Sequence, residues 1–373
     1  MMKIQSELEK NPKFYYNGLF LTSLALSIFG CVMLFSATVC RTNPVYVFIK
    51  KQIFSFILGI IICILFANLN YSSVFKKITL PLCIITILLL ILVFFFPKIK
   101  GAHRWIQLPF LGSFQPSELA RITTVLLIAK FLDEHRSKIT NGKKEFWILI
   151  GIIFLFCFLI LLEPDAGIPL IIFITTFSLL YCYSVKIRHL VKVAILVVLV
   201  LSTALLTQRY RIERILSLSS NEKAKNPYSY QIQQSIFALA RGGFFGCGIG
   251  KGLFKEYYLP EFHTDFMFSI IGEEFGLIGS ILTIFLYFLL SIFGFSIAYK
   301  TSQVTQGYYG SILSLGLTLN IIIQAFISIA VTTKLFLPKG IGLPFISYGG
   351  TSLIINFLSI GIILNVCKTK LLK

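Results

Sequence analysis

Charge is the scarcest commodity in this chain. Of 373 residues, 13% are Asp, Glu, Lys or Arg, while 56% are hydrophobic. An ordinary soluble domain carries roughly 25% charged residues. Mean hydropathy is +0.86. One soluble core could not bury so much apolar surface, which excludes a water-soluble enzyme. Disorder is excluded on the same ground. The short alternating strands of a transmembrane barrel are missing. The eight cysteines form no CxxC and no Cys/His cluster with metal spacing; most lie inside apolar runs, as small packing residues do. Walker A and Rossmann fingerprints are absent, so nothing points to a nucleotide motor. We find no soluble domain, internal repeat or low-complexity tail. A basic lead (Lys3, Lys10, Lys13) runs into a full-length apolar span without the pattern of a cleaved signal.

What is plentiful is long apolar runs. A span needs about 20 mostly apolar residues, and ten candidates are legible: 14–38, 45–66, 78–96, 116–131, 146–162, 166–184, 189–206, 266–298, 308–333 and 348–367. The expected fold is an all-α polytopic membrane protein with a long extracytoplasmic loop, 207–263, between spans seven and eight. The eighth run is too long for one simple span and is expected to start outside the bilayer or break near Gly272 or Gly276. Net charge is +19. The basic residues sit mainly in short loops, which suits membrane topology rather than nucleic acid. Ten spans put both termini on one side. Short loops on that side hold 17 Lys and Arg, against 8 on the other. This places residues 1–13 and 368–373 in the cytoplasm, and residues 1–373 read as one membrane domain.

Charged residues inside spans are costly and mark a cavity or a partner. Four places stand out. Glu118 and Arg121, three apart after Pro116, share a helix face: an internal ion pair, or a polar cavity wall with Arg121 as an anion clamp. Glu163-Pro-Asp-Ala-Gly167 is a turn in its own right. In the long loop, Gly242-Gly-Phe-Phe-Gly-Cys-Gly-Ile-Gly-Lys-Gly252 offers backbone N–H groups to an anion. His263-Thr-Asp265 follows at the start of a span, either as a helix cap or as a carboxylate site able to take a proton or hold a cation. Glu273 and Glu274 read equally as a proton path or a structural pair. Last, Pro/Gly-rich backbone from Leu337 to Ser352 suits a cavity lining; Lys339 within it either meets a phosphate or snorkels to headgroups. The residues alone describe an outward polar site for a half-lipid, half-polar substrate. They do not separate an enzyme from a transporter.

The stretches GAHRWIQLPFLGSFQPSELARI, LLEPDAG, YQIQQSIFALARGGFFGCGIGKGLFKEYYLPEFHTDFMFSIIGEEFGLIG and LPKGIGLPFISYGGTS occur in this order. Together they resemble the SEDS family (shape, elongation, division and sporulation proteins), across nearly the whole chain. Lys255 and the run from Ile271 to Glu274 resemble its cell-division branch. Arg121 stands where the family usually has Lys, and Gly252 where that branch commonly has Ser. The resemblance implies a peptidoglycan glycosyltransferase acting on lipid II at the outer face of the cytoplasmic membrane. It implies a class B penicillin-binding protein and other divisome proteins as partners. The essential acid of the family matches Asp265; its cavity acid and basic neighbour match Glu118 and Arg121; its motif lysine matches Lys339. Arg104 and His263 are expected at the substrate with them, and a divalent cation such as Mg²⁺ is an expected aid. A lipid II flippase and an elongation-branch polymerase are the rival readings; the concentration of polar groups on the outward side favours the enzyme over the flippase.

Overall fold

The structure is a computed structural model. It describes residues 11–39, 45–69, 71–99, 102–108, 112–206, 227–257, 263–304, 307–336 and 340–372. Each of the ten predicted spans coincides with a helix: α1 (Pro12–Val39), α2 (Val45–Ala67), α3 (Tyr71–Leu92), α4 (Pro116–Thr140), α5 (Lys144–Leu162), α6 (Gly167–Cys182), α7 (Ile187–Leu206), α10 (Met267–Ser302), α11 (Tyr308–Thr332) and α12 (Gly350–Leu371). Among the described residues, seven of them are long and apolar enough to cross a membrane; α4 is outside that group, and so is α6 with its 16 residues. The apolar excess is on the outside of the bundle, where Leu21, Ile57, Leu88, Ile281 and Phe288 are exposed, as a hydrocarbon solvent allows.

Polar residues inside the spans are handled locally. Thr22, Thr38, Thr79 and Thr124 each return their hydroxyl to the carbonyl four residues earlier, which satisfies the donor without a second helix. At the centre, α11 and α12 are buried over most of their length, whereas α2 and α3 are peripheral. A Cβ at Gly361 of α12 would stand 2.6 Å from the Cys63 carbonyl oxygen of α2. The two backbones touch there because the glycine has no side chain.

Three elements differ from the sequence expectation. α4 runs on to Thr140, past the predicted end at 131, with a non-helical residue at His135. Its last turns are charged and were indistinguishable from a loop by hydropathy. Loop 97–115 contains a two-stranded antiparallel hairpin, β1 (Ile106–Leu108) and β2 (Gly112–Phe114). The described part of the long loop carries two helices, α8 (Pro227–Gly242) and α9 (Phe254–Tyr257). The expected break in the eighth span is at Gly276, whose φ of 66° and ψ of −156° leave the helical region inside α10.

Candidate functional site

Helices that alternate in direction bring residues 102–105, turn 163–166, residues 263–266 and loop 340–349 to one end of the bundle. There they enclose a cavity of about 560 Å³. Arg104, Glu118, Arg121, Asp165 and Asp265 all line it. Five charged side chains from four separate stretches of chain thus meet in one place.

The floor is the start of α4. Pro116 opens this helix, as a residue without an N–H can at the first turn, and Glu118 sits at the positive end of its dipole. Glu118 Oε2 lies 3.1 Å from Arg121 Nη2, and both side chains are buried. The two sequence alternatives are therefore both present: an internal ion pair that is also a cavity wall. Sequence spacing did not reveal the rest of the network. Arg121 Nη1 donates to Gln324 Oε1, and Nη2 to Asn356 Oδ1 at 3.3 Å. Asn320 donates to the Arg121 carbonyl at 3.3 Å. Gln324 in turn donates to the Gly342 carbonyl at 2.9 Å. Arg121 Nε and Asn356 Nδ2 remain buried without a hydrogen-bond partner among the described residues. Such atoms are costly unless water or a ligand reaches them. Gln and Asn inside an apolar helix were the available signal for this network.

Asp265 is half-buried in the turn before α10 and faces the cavity. The N-cap position of that helix falls on Phe266, one residue beyond Asp265. Loop 340–349 backs it closely, since a Cβ on Gly340 would stand 2.9 Å from Asp265 Oδ2. Arg104 donates from Nε to the Glu163 carbonyl at 3.0 Å and from Nη2 to the Pro164 carbonyl. It is thus a strut between two loops whose guanidinium also faces the cavity. His263 stands beside the site, its ring against Phe48 at 5.3 Å and Tyr348 at 5.9 Å; Tyr348 rather than His263 lines the cavity. Lys339 lies outside the described residues.

The turn 163–167 is more than a turn. Asp165 Oδ1 accepts the Gly167 N–H at 2.8 Å, as the turn pattern demands, but Asp165 also lines the cavity. Glu163 is fully buried, and neither carboxylate oxygen has a hydrogen-bond partner among the described residues. Burial, reinforced by the negative charge of Asp165 and opposed by Arg104, pushes its carboxyl up to about 9. The fold thus favours its protonated form.

Glu273 and Glu274 are elsewhere. Glu273 pairs with Arg241 at 2.5 Å and accepts the Leu253 N–H at 2.7 Å. Glu274 pairs with Lys255 at 2.7 Å and accepts from Ser36 Oγ at 2.6 Å. These contacts pin the glycine-rich loop to α10, so the geometry favours the structural pair over the proton path. Among the described residues no three His, Cys, Asp or Glu side chains converge as a metal site. The cavity acids suit Mg²⁺ only in its shared mode, in which one or two carboxylates and substrate phosphates complete the shell.

A family model for cell cycle proteins, covering FtsW, RodA and SpoVE, matches residues 17–371. A probable peptidoglycan glycosyltransferase FtsW of Trichlorobacter lovleyi is 34% identical over 361 residues, covering 93% of this chain and 92% of its own. A protein of the same description from Buchnera aphidicola subsp. Schizaphis graminum is 36% identical over 322 residues, 86% of this chain and 90% of its own. Among solved structures, a chain of a peptidoglycan synthase complex that coordinates polymerisation and crosslinking superposes with a TM-score of 0.76 at 25% identity, covering 95% of this chain and 98% of that one. The rod shape determining protein RodA of Thermus thermophilus gives 0.69 at 25% identity, over 95% and 97%.

Proposed function

Because the chain belongs to the FtsW, RodA and SpoVE family of cell cycle proteins, we propose that it is a peptidoglycan glycosyltransferase. It polymerises lipid II into glycan strands at the outer face of the cytoplasmic membrane, during septal wall synthesis. The observation that carries this reading is the single cavity that gathers Asp265, Asp165, Arg104 and the Glu118–Arg121 pair at one end of a membrane-spanning bundle. A substrate with a prenyl tail in lipid and a charged sugar head suits that placement.

In the reaction, the 4-hydroxyl oxygen of the acceptor GlcNAc forms a bond to the anomeric carbon of the lipid-linked donor chain. The bond from that carbon to the pyrophosphate oxygen breaks, and undecaprenyl pyrophosphate leaves. Asp265 orients the attacking hydroxyl and receives its proton. A carboxylate near its ordinary pKa of about 4 is a weak base, so charge stabilisation on the leaving side bears much of the barrier. Arg121 is already neutralised by Glu118, which leaves Arg104 and Lys339 as the cations for the pyrophosphate. Mg²⁺, held by Asp265 or Asp165 with the substrate's phosphates, would supply further positive charge there. Both termini are cytoplasmic in this reading, and a class B penicillin-binding protein crosslinks the strands within the divisome.

The test is lipid II polymerisation by purified protein, with and without its class B partner. Wild type is expected to yield glycan strands, and Asp265→Asn to lose about 100-fold or more of the rate while melting at the wild-type temperature. An Asp265→Asn protein as fast as wild type would remove Asp265 from the mechanism. No strands even with the correct partner and Mg²⁺ would shift the reading to lipid transport.

A further inference from the structure

The glycine-rich loop 243–253 reads in sequence as an aqueous loop, yet apart from Lys251 its exposed side chains are apolar: Phe244 is 71% and Phe245 83% accessible, and Ile249 and Leu253 are exposed with them. An ordinary surface loop gives its backbone to water. This one does not. Gly246 N–H donates to the Gly242 carbonyl at 2.7 Å, Cys247 N–H to Glu273 at 2.9 Å and Gly248 N–H to Glu274 at 3.0 Å. Gly250 N–H donates to Ser36 Oγ at 3.0 Å, and Leu253 N–H to the Glu273 carboxylate. In the other direction, the Gly243 and Phe244 carbonyls accept the Leu277 and Ile278 N–H groups that the break in α10 sets free. The fit is flush: a Cβ on Gly246, at φ 81°, would stand 2.1 Å from the Glu274 carbonyl oxygen.

Non-helical backbone that gives many of its N–H groups to protein while it carries exposed phenylalanines suits the interface, where an apolar side chain meets acyl chains and the remaining backbone groups still meet water and headgroups. The position agrees. The loop docks on Leu277 and Ile278, which begin the exposed apolar row that continues through Ile281, Leu282 and Phe285 of α10. The patch is thus continuous with the lipid-facing belt. From Leu277 to Lys300 the helix rises about 35 Å at 1.5 Å per residue. That exceeds the roughly 30 Å hydrocarbon core but lies within the 40–45 Å that includes headgroups. Exposed Lys251 flanks the patch as a headgroup contact.

We infer that loop 243–253 is a membrane-seated wedge: Phe244 and Phe245 insert at the headgroup–acyl boundary of the leaflet on the cavity side and contact lipid. The occupant is bilayer lipid, not a partner protein. It anchors the loop that Glu273, Glu274, Arg241 and Lys255 clamp, and so fixes the height of the first turns of α10, just beyond Asp265, relative to the membrane surface.

The test is Phe245→Trp, with Phe244→Trp as a second variant, in vesicles of phosphatidylcholine and phosphatidylglycerol. Fluorescence is read as the increment over the parent, which has two tryptophans. Lipids brominated at shallow acyl positions are expected to quench the increment by about half, more than deeply brominated ones, as for an interfacial anchor. Aqueous acrylamide should quench it far less than it quenches Lys143→Trp in the polar turn before α5. Strong acrylamide quenching without bromolipid quenching would make the loop aqueous and overturn the inference. Shielding from both quenchers would mean that protein covers the face, and would overturn it too.

Discussion

Two buried acid–base clusters among the described residues look alike on paper. One is Glu118 with Arg121 on the cavity floor; the other is Glu274 with Lys255 beneath the glycine-rich loop. Both bury the charge of both partners. They differ in what is left over. At Glu274, Ser36 Oγ donates to the carboxylate while the Ser36 carbonyl accepts from Lys255 at 2.8 Å, so the pair is enclosed by protein. At Arg121, Nε and the neighbouring Asn356 amide are unsatisfied among the described residues, and the pair borders a cavity. Ionic residues in a span mark a site only when the surrounding structure leaves part of their bonding capacity open to a ligand.

The sharpest way to break this comparison is to neutralise each pair. Lys255→Met leaves Glu274 buried and unpaired and is expected to cost about 3–5 kcal/mol, whereas replacing both partners with apolar residues is expected to be nearly neutral. Thermal melting in detergent should therefore show a deep loss for Lys255→Met and recovery in Lys255→Met/Glu274→Leu, with polymerase activity returning alongside. Glu118→Leu/Arg121→Met should likewise melt near wild type but stay inactive. If activity returned in both double variants, the distinction between the clusters would fall.

A smaller effect is expected at Gln324, which links Arg121 to the Gly342 carbonyl in the loop that backs Asp265. Gln324→Glu keeps the bond to Arg121 and loses the donor to Gly342. Its rate constant should drop about tenfold, or about 1.4 kcal/mol, with KM nearly unchanged and the melting temperature kept. A rise in KM alone would instead place Gln324 in substrate binding.

The last test is a pH slope, read on stability rather than on rate. The Glu163 carboxyl is raised to about 9 in the folded chain, against an ordinary value of about 4.3. The folded state therefore holds a proton that the unfolded state has lost. Its contribution to stability is complete below about pH 4.3 and is lost as pH climbs towards 9. Wild type should melt lower at about pH 8.5 than at about pH 6, and Glu163→Gln should flatten that difference. Equal slopes in the two proteins would show that Glu163 is already ionised.

Much of this was legible in one dimension. Ten apolar runs became ten helices, because in hydrocarbon the backbone has no other way to satisfy itself over that length. Pro116 with Glu118 marked a helix start, and of the two glycines at which α10 was expected to break, Gly272 and Gly276, the break falls at Gly276. The hairpin at 106–114 and helix α8 were not legible, since a two-stranded pairing and a packed polar helix leave little hydropathy signal. Asp165 was half read: its turn role was visible in Pro-Asp-Ala-Gly, its place in the cavity was not.

The sequence by itself determined where the chain must be helical and which residues are too polar for lipid, because both follow from local hydrophobicity and spacing. Tertiary structure alone decided which of those polar residues meet. Arg121 and Gln324 are 203 positions apart, and Arg121 and Asn356 are 235. No periodicity reaches that far, since helical spacing sets a residue's face but not the helix that face will meet. Close packing of α4, α11 and α12 set that, and it separated a cavity floor from a structural clamp built of the same residue types.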